Sequence, residues 1–113
     1  MEKYVLICCI VDKGYSDLVM SAARENGARG GTVIGAHGTG NVEIEKFYGV
    51  VIKPDKEMVL ILVNENDKEK ILTAVGKECG LDAKGQGIAF ALPVSDSVGL
   101  FREEKVEEKK LQN

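Results

Sequence analysis

Three short runs of this sequence are apolar at nearly every position, and this feature most restricts the folds open to the chain. They cover residues 4–11, 58–63 and 88–94. Each run is short for a helix and holds β-branched residues or ends near turn-forming ones, which predicts strands. Successive side chains of a strand point to opposite faces, so these strands place apolar residues on both faces of their sheet. An antiparallel sheet with one solvated face alternates apolar and polar residues instead.

The intervening stretches predict two helices. The first begins with Ser16 or Asp17 as its cap, and Gly27 suits the left-handed position that ends it. Its buried stripe at helical spacing is Leu18, Val19, Ala22 and Ala23. The second follows a capping pattern from Asn66 to Glu69 and ends at Gly80. Its buried stripe is Ile71, Leu72 and Val75.

Residues 30–37 predict a further strand, weakened by glycine, and residues 47–52 favour an extended conformation. Pro93 lacks an amide donor, so the last strand ends there or lies at a sheet edge. The element order is β-α-β-β-α-β. This order predicts an α+β fold, a ferredoxin-like sandwich whose four-stranded antiparallel sheet carries two helices on one face.

The second apolar face of this sheet has no helix to cover it. Each large apolar side chain left in water forgoes about 1.5–3 kcal/mol. A broad exposed apolar patch also favours aggregation. We therefore expect this face to be buried against other copies of the chain in a symmetric oligomer.

Charge and hydropathy exclude several classes of protein. The chain has 15 basic and 18 acidic residues, a net charge of −3, without the basic excess of a nucleic-acid-binding protein. No apolar run reaches the length of a membrane span. The first apolar run is followed at once by Asp12 and Lys13, unlike a signal peptide. These features predict a cytoplasmic protein that meets a membrane only through a partner.

The sequence holds few candidates for metal binding or catalysis. Cys8, Cys9 and Cys79 form no CxxC pair, and His37 is the only histidine, so we expect buried, reduced thiols and no zinc site. A Walker-type phosphate loop and a nucleophile elbow are both missing from the sequence. We expect His37 to be a strand-end residue and the protein to be non-enzymatic.

Two glycine pairs flank predicted strands. Gly38-Thr39-Gly40, with Asn41 after it, follows the second strand, and Gly85-Gln86-Gly87 precedes the last. Turned backbone amides at such positions form a small anion cradle, although loop glycines without a ligand are a common alternative. In this element order the two motifs need not meet within one chain, whereas an interface between copies brings them together.

These residues resemble the P-II nitrogen regulatory proteins over residues 3–100. The resemblance rests on Gly30-Gly-Thr-Val33 leading to Gly38-Thr-Gly40, on the strand at 59–63, and on Gly85-Gln-Gly87-Ile-Ala-Phe90 with Leu92-Pro-Val94. It implies a homotrimer with nucleotide sites in the clefts between subunits. It also implies a mobile loop that docks onto a target enzyme, transporter or transcription regulator.

The sequence departs from the family at charged positions. Asn41 and Val42 stand where typical members carry Arg and Gln, and Ile88 stands in place of a lysine. Gly99 and Phe101 replace two phosphate-binding arginines, and the loop is about five residues shorter. Lys56 keeps the position of a loop-end lysine. Losing about three charge-assisted bonds of roughly 1.5–3 kcal/mol each predicts weak nucleotide binding or a less charged ligand.

Residues 1–100 are thus predicted to form one P-II-like domain, followed by a charged tail at 101–113. The predicted function is signal transduction: a metabolite, such as a weakly bound adenine nucleotide, orders the loop at about 39–57. No other cofactor is indicated. A CutA-like metal-responsive or structural trimer is the alternative. The predicted ligand-binding residues are Gly38, Gly40, Asn41, Lys56, Gly85, Gln86 and Gly87.

Overall fold

The computed structural model describes residues 3–39, 49, 55–81 and 87–100. Its elements follow the predicted order. A 3-10 turn, Glu65–Asp67, leads into the second helix. Of the run at 47–52 only Gly49 is described, and the tail at 101–113 lies outside the described residues. The elements are β1 (Tyr4–Asp12), α1 (Ser16–Glu25), β2 (Thr32–His37), β3 (Asp55–Asn64), α2 (Lys68–Glu78) and β4 (Gly87–Val94).

The four strands form one sheet in the order β2-β3-β1-β4. Each neighbouring pair is antiparallel. Pro93 therefore lies in an edge strand, next to the strand's last residue, as its missing amide predicts. The predicted ferredoxin-like fold, with four antiparallel strands and two helices, is confirmed.

The main core lies between the sheet and the two helices. Ala89 and Ala91 of β4 pack against its rim. Burial raises the pKa of the Cys9 thiol to about 12, with Cys8 and Cys79 adding to the shift. All three cysteines are buried, as predicted. The fully buried side chains of this core include Ile7, Cys9, Val11, Val19, Val59, Ile61, Ile71 and Val75.

Two predicted helix starts are wrong in detail. Tyr15 occupies the cap position of α1 and makes no side-chain cap bond, because Glu57 of β3 accepts from this turn instead. Before α2, the side chain of Asn64 accepts from the amide of Asn66, since a 3-10 turn intervenes. Leu18 is 40% exposed, whereas Met20, which the stripe did not include, is buried.

The sheet face turned away from the helices, called the open face below, is apolar and meets solvent in the single chain. Ile88 and Leu92 there are 55% and 48% exposed. The predicted presence of apolar side chains on both faces is confirmed. By register and alternation the open face carries Leu6, Cys8, Ile10, Ile34, Met58, Leu60, Leu62, Ile88, Phe90 and Leu92.

Candidate functional site

The last residues of β1 and β2 and the first of β3 and β4 lie at one end of the sheet, called the loop end below. The register pairs Asp12 with Lys56, His37 with Asp55, and Val11 with Gly87. Gly38 follows β2 directly, so it lies at the same end as Gly87 but beside the opposite edge strand. Three strand spacings of about 4.8 Å separate these edges by roughly 14 Å.

The two glycine motifs therefore share an end of the sheet without meeting inside one chain. Of the predicted ligand-binding residues, Gly38, Lys56 and Gly87 are described, and Lys56 lies on β3 between the other two. Gly40, Asn41, Gly85 and Gln86 lie outside the described residues.

Lys56 forms an ion pair that the sequence interpretation did not include. Its Nζ lies 2.5 Å from Oδ1 of Asp12, directly across the β1–β3 ladder. The Lys56 side chain is only 21% exposed and that of Asp12 is 42% exposed. The pair lies on the open face, one row beyond Ile10 and Met58. The lysine predicted to attract an anionic ligand is thus already neutralised within its own chain.

Glu57 fixes the turn between β1 and α1. Its Oε1 accepts from the backbone amide of Gly14 at 2.7 Å. This bond, with bonds from Ser16 and the charge of Lys13, holds the pKa of Glu57 below its ordinary value of 4.5, and partial desolvation opposes the shift. The backbone of Lys13 also donates to the carbonyl of Asp55. The turn is therefore tied to the beginning of β3 at two points.

His37 and Asp55 form the outermost pair of the β2–β3 ladder. The imidazole Nδ1 lies 3.2 Å from Oδ1 of Asp55, and both side chains are exposed. This agrees with the expectation that His37 is a strand-end residue. The pair joins the two points where the chain leaves and re-enters the sheet around residues 38–54.

A shallow cavity of about 250 Å³ opens at the loop end. Together with Asp12, its charged groups are two ammonium groups and three carboxylates, a net charge of −1 with His37 neutral. Such a balance does not favour a ligand with several negative charges. The cavity is lined by Lys13, Gly35, Ala36, His37, Asp55, Lys56 and Glu57.

A second cavity, of about 390 Å³, lies beside the beginning of β2, and sequence reasoning missed it. Gly31 is the sequence feature that marks this place, because the structure leaves no room there for a side chain. A Cβ at Gly31 would lie 2.9 Å from the carbonyl oxygen of Leu60 and from the sulfur of Met20. Leu100 joins the lining from beyond β4, which no local pattern reveals. The lining residues are Leu6, Arg29, Gly30, Gly31, Thr32, Leu60, Leu62 and Leu100.

Two features of the described ranges bear on other classes of site. In those ranges, no three His, Cys, Asp or Glu side chains are grouped so that they hold a metal ion. The two helices that the structure describes are too short or too polar to cross a membrane.

Comparison with known proteins identifies the family. The family model for nitrogen regulatory protein P-II matches residues 4–105. The chain belongs to the P-II family. The crystal structure of Arabidopsis thaliana PII bound to citrate superposes with a TM-score of 0.67 and 25% identity, over 85% of this chain and 81% of that one. A search of curated protein sequences returned no match.

A second solved structure is similar to this chain in fold only. It is a DUF3240 family protein from Shewanella baltica, 14% identical, with a TM-score of 0.65 over 89% of this chain and all of that one. P-II proteins are generally signal regulators, and they typically form trimers and bind small effectors. Within this fold, Ile88 lies on the open face beside Ile10.

Proposed function

We propose that this P-II protein is a non-enzymatic signal transducer that binds a small metabolite in clefts between its subunits. The metabolite lies between Gly38 of one copy and Gly87 of the next. Gly40 and Asn41 extend the first motif, and Gly85 and Gln86 extend the second. An adenine nucleotide, bound weakly, is the ligand class that the family suggests.

The observation that carries this proposal is the position of the two glycine motifs. Gly38 and Gly87 lie at one end of the sheet but beside opposite edges. Burial of the exposed side chains of the open face favours association of copies of the chain. Association that brings the β2 edge of one copy to the β4 edge of another unites both motifs around one ligand.

The response to the ligand is the ordering of the loop predicted at about 39–57, whose last three positions, 55–57, already belong to β3. The ordered loop then engages a target enzyme, transporter or regulator. Ordering a segment through ligand contacts is an established switching device. The loop begins beside His37 and ends at the first residues of β3, where Lys56 and Glu57 are fixed by Asp12 and Gly14. A ligand at the loop end therefore acts at both ends of this loop.

Titration calorimetry of the oligomer with ATP, ADP, AMP and cyclic AMP tests the proposal. We expect weak but saturable binding of at least one nucleotide. Gly38→Val should weaken it, because a branched side chain obstructs the backbone approach. Gly76→Ala on α2, where an added Cβ meets open space, is the matched control and should leave binding unchanged. Folded oligomer that gives no heat with any of the four contradicts nucleotide sensing.

A further inference from the structure

We propose that the ion pair between Asp12 and Lys56 sets the charge of the ligand that the cleft accepts. Because Lys56 is already paired, the cleft rejects polyphosphates in favour of uncharged nucleosides or nucleotides of low charge. This inference rests on the proposed function. It starts from the 2.5 Å contact between Lys56 Nζ and Asp12 Oδ1. A triphosphate that uses Lys56 must either displace this carboxylate or lie beside it.

The position of the pair makes that displacement unfavourable. Lys56 lies on β3, directly opposite Asp12 on β1 and opposite Ala36 on β2. The Lys56 side chain is only 21% exposed, so solvent only partly compensates for a lost partner. Asp12 follows Val11, which pairs with Gly87, so its charge lies about one strand spacing from the second glycine motif and acts on a ligand held there.

The other charged groups at the loop end do not offset Asp12. Lys13 is the second ammonium group there, and Asp55 and Glu57 add two further carboxylates. Ile88, the second residue of β4, contributes an exposed apolar side chain and no charge to this end of the sheet. Among the described residues, Asp12 is thus the one carboxylate whose removal frees a half-buried lysine at this site.

The test compares ATP with adenosine in calorimetric titrations of the wild-type oligomer and of Asp12→Asn. The wild type should bind ATP no more tightly than adenosine. Freeing Lys56 for one charge-assisted bond should tighten ATP binding by about tenfold or more in Asp12→Asn and leave adenosine within about twofold. The gain should disappear in Asp12→Asn combined with Lys56→Met. Glu25→Gln, which makes the same change of net charge on the exposed end of α1, should produce no gain.

Each result bears on one of the two proposals. Wild-type protein that binds ATP tenfold more tightly than adenosine, or Asp12→Asn that leaves the ratio unchanged, overturns the role of Asp12 and leaves the metabolite site standing. Protein that binds none of these compounds overturns both. Asp12→Ser, which is also uncharged but shorter, replaces Asp12→Asn if the asparagine variant does not assemble.

Discussion

Glu57 is the residue that connects the beginning of β3 to the turn before α1. Its carboxylate accepts from the backbone of Ser16, the first residue of α1, in place of the side-chain cap that Ser16 or Asp17 was expected to supply. Sequence reasoning selected the local acceptors because capping is usually local. Glu57 lies 43 residues from Gly14, so only the pairing of β1 with β3 brings them together.

Substituting Glu57 tests this connection through the pH dependence of stability. Its pKa is lowered on folding, so the carboxylate stabilises the fold above its unfolded pKa, and this contribution is lost as the pH falls through the folded value. Glu57→Gln should lower the urea midpoint at pH 7, and the difference from wild type should shrink steadily from about pH 4.5 downward. Glu25 is exposed at the end of α1, so Glu25→Gln should show no such pH-dependent difference. An equal deficit at pH 7 and pH 3 would contradict this role.

At the scale of elements, the type and order of the strands followed from short runs that are apolar at nearly every position, and the helices followed from apolar residues at helical spacing. In β1 the core takes only every second residue of such a run, Val5, Ile7, Cys9 and Val11. The Lys56–Asp12 pair did not follow, because it depends on the register between strands 44 residues apart. The cavity that includes Leu100 was missed for the same reason, since its lining combines β1, β3 and the chain beyond β4.

The beginning of β4 depends on a glycine. Gly87 has a φ of +137°, and a Cβ there would lie 2.5 Å from the carbonyl oxygen of Ile10. Both the left-handed backbone and the close approach to β1 exclude a side chain. This feature places the second glycine motif directly against the central strand.

Gly87→Ala should therefore lower the free energy of unfolding by about 2 kcal/mol or more, through backbone strain and displacement of β4. Gly35→Ala is the control, because its Cβ meets nothing within 4 Å. Alanine within a strand is favoured over glycine by about 0.5–1 kcal/mol, so this variant should be neutral or slightly stabilised. Denaturant unfolding of the two variants measures both effects, and equal stability of the pair would refute the close packing at Gly87.

At the scale of the molecule, the open face predicts self-association. Leu92→Lys places a charge on that face and should shift the oligomer toward a monomer of 12.2 kDa in sedimentation equilibrium at micromolar concentration. Leu18→Lys is the matched control: Leu18 is 40% exposed, close to the 48% of Leu92, but lies on α1 on the opposite side of the sheet. Wild-type protein that sediments as a monomer, or two variants that behave alike, would show that the open face is not an interface.

The strand order has a further thermodynamic consequence. Because it separates Gly38 from Gly87 by the full width of the sheet, a pocket made from both is completed only when chains meet. Occupancy and assembly are then linked equilibria, so dilution of the protein lowers its apparent affinity and saturation with ligand opposes dissociation. A sensor of this kind reports the abundance of its own chains together with that of the metabolite.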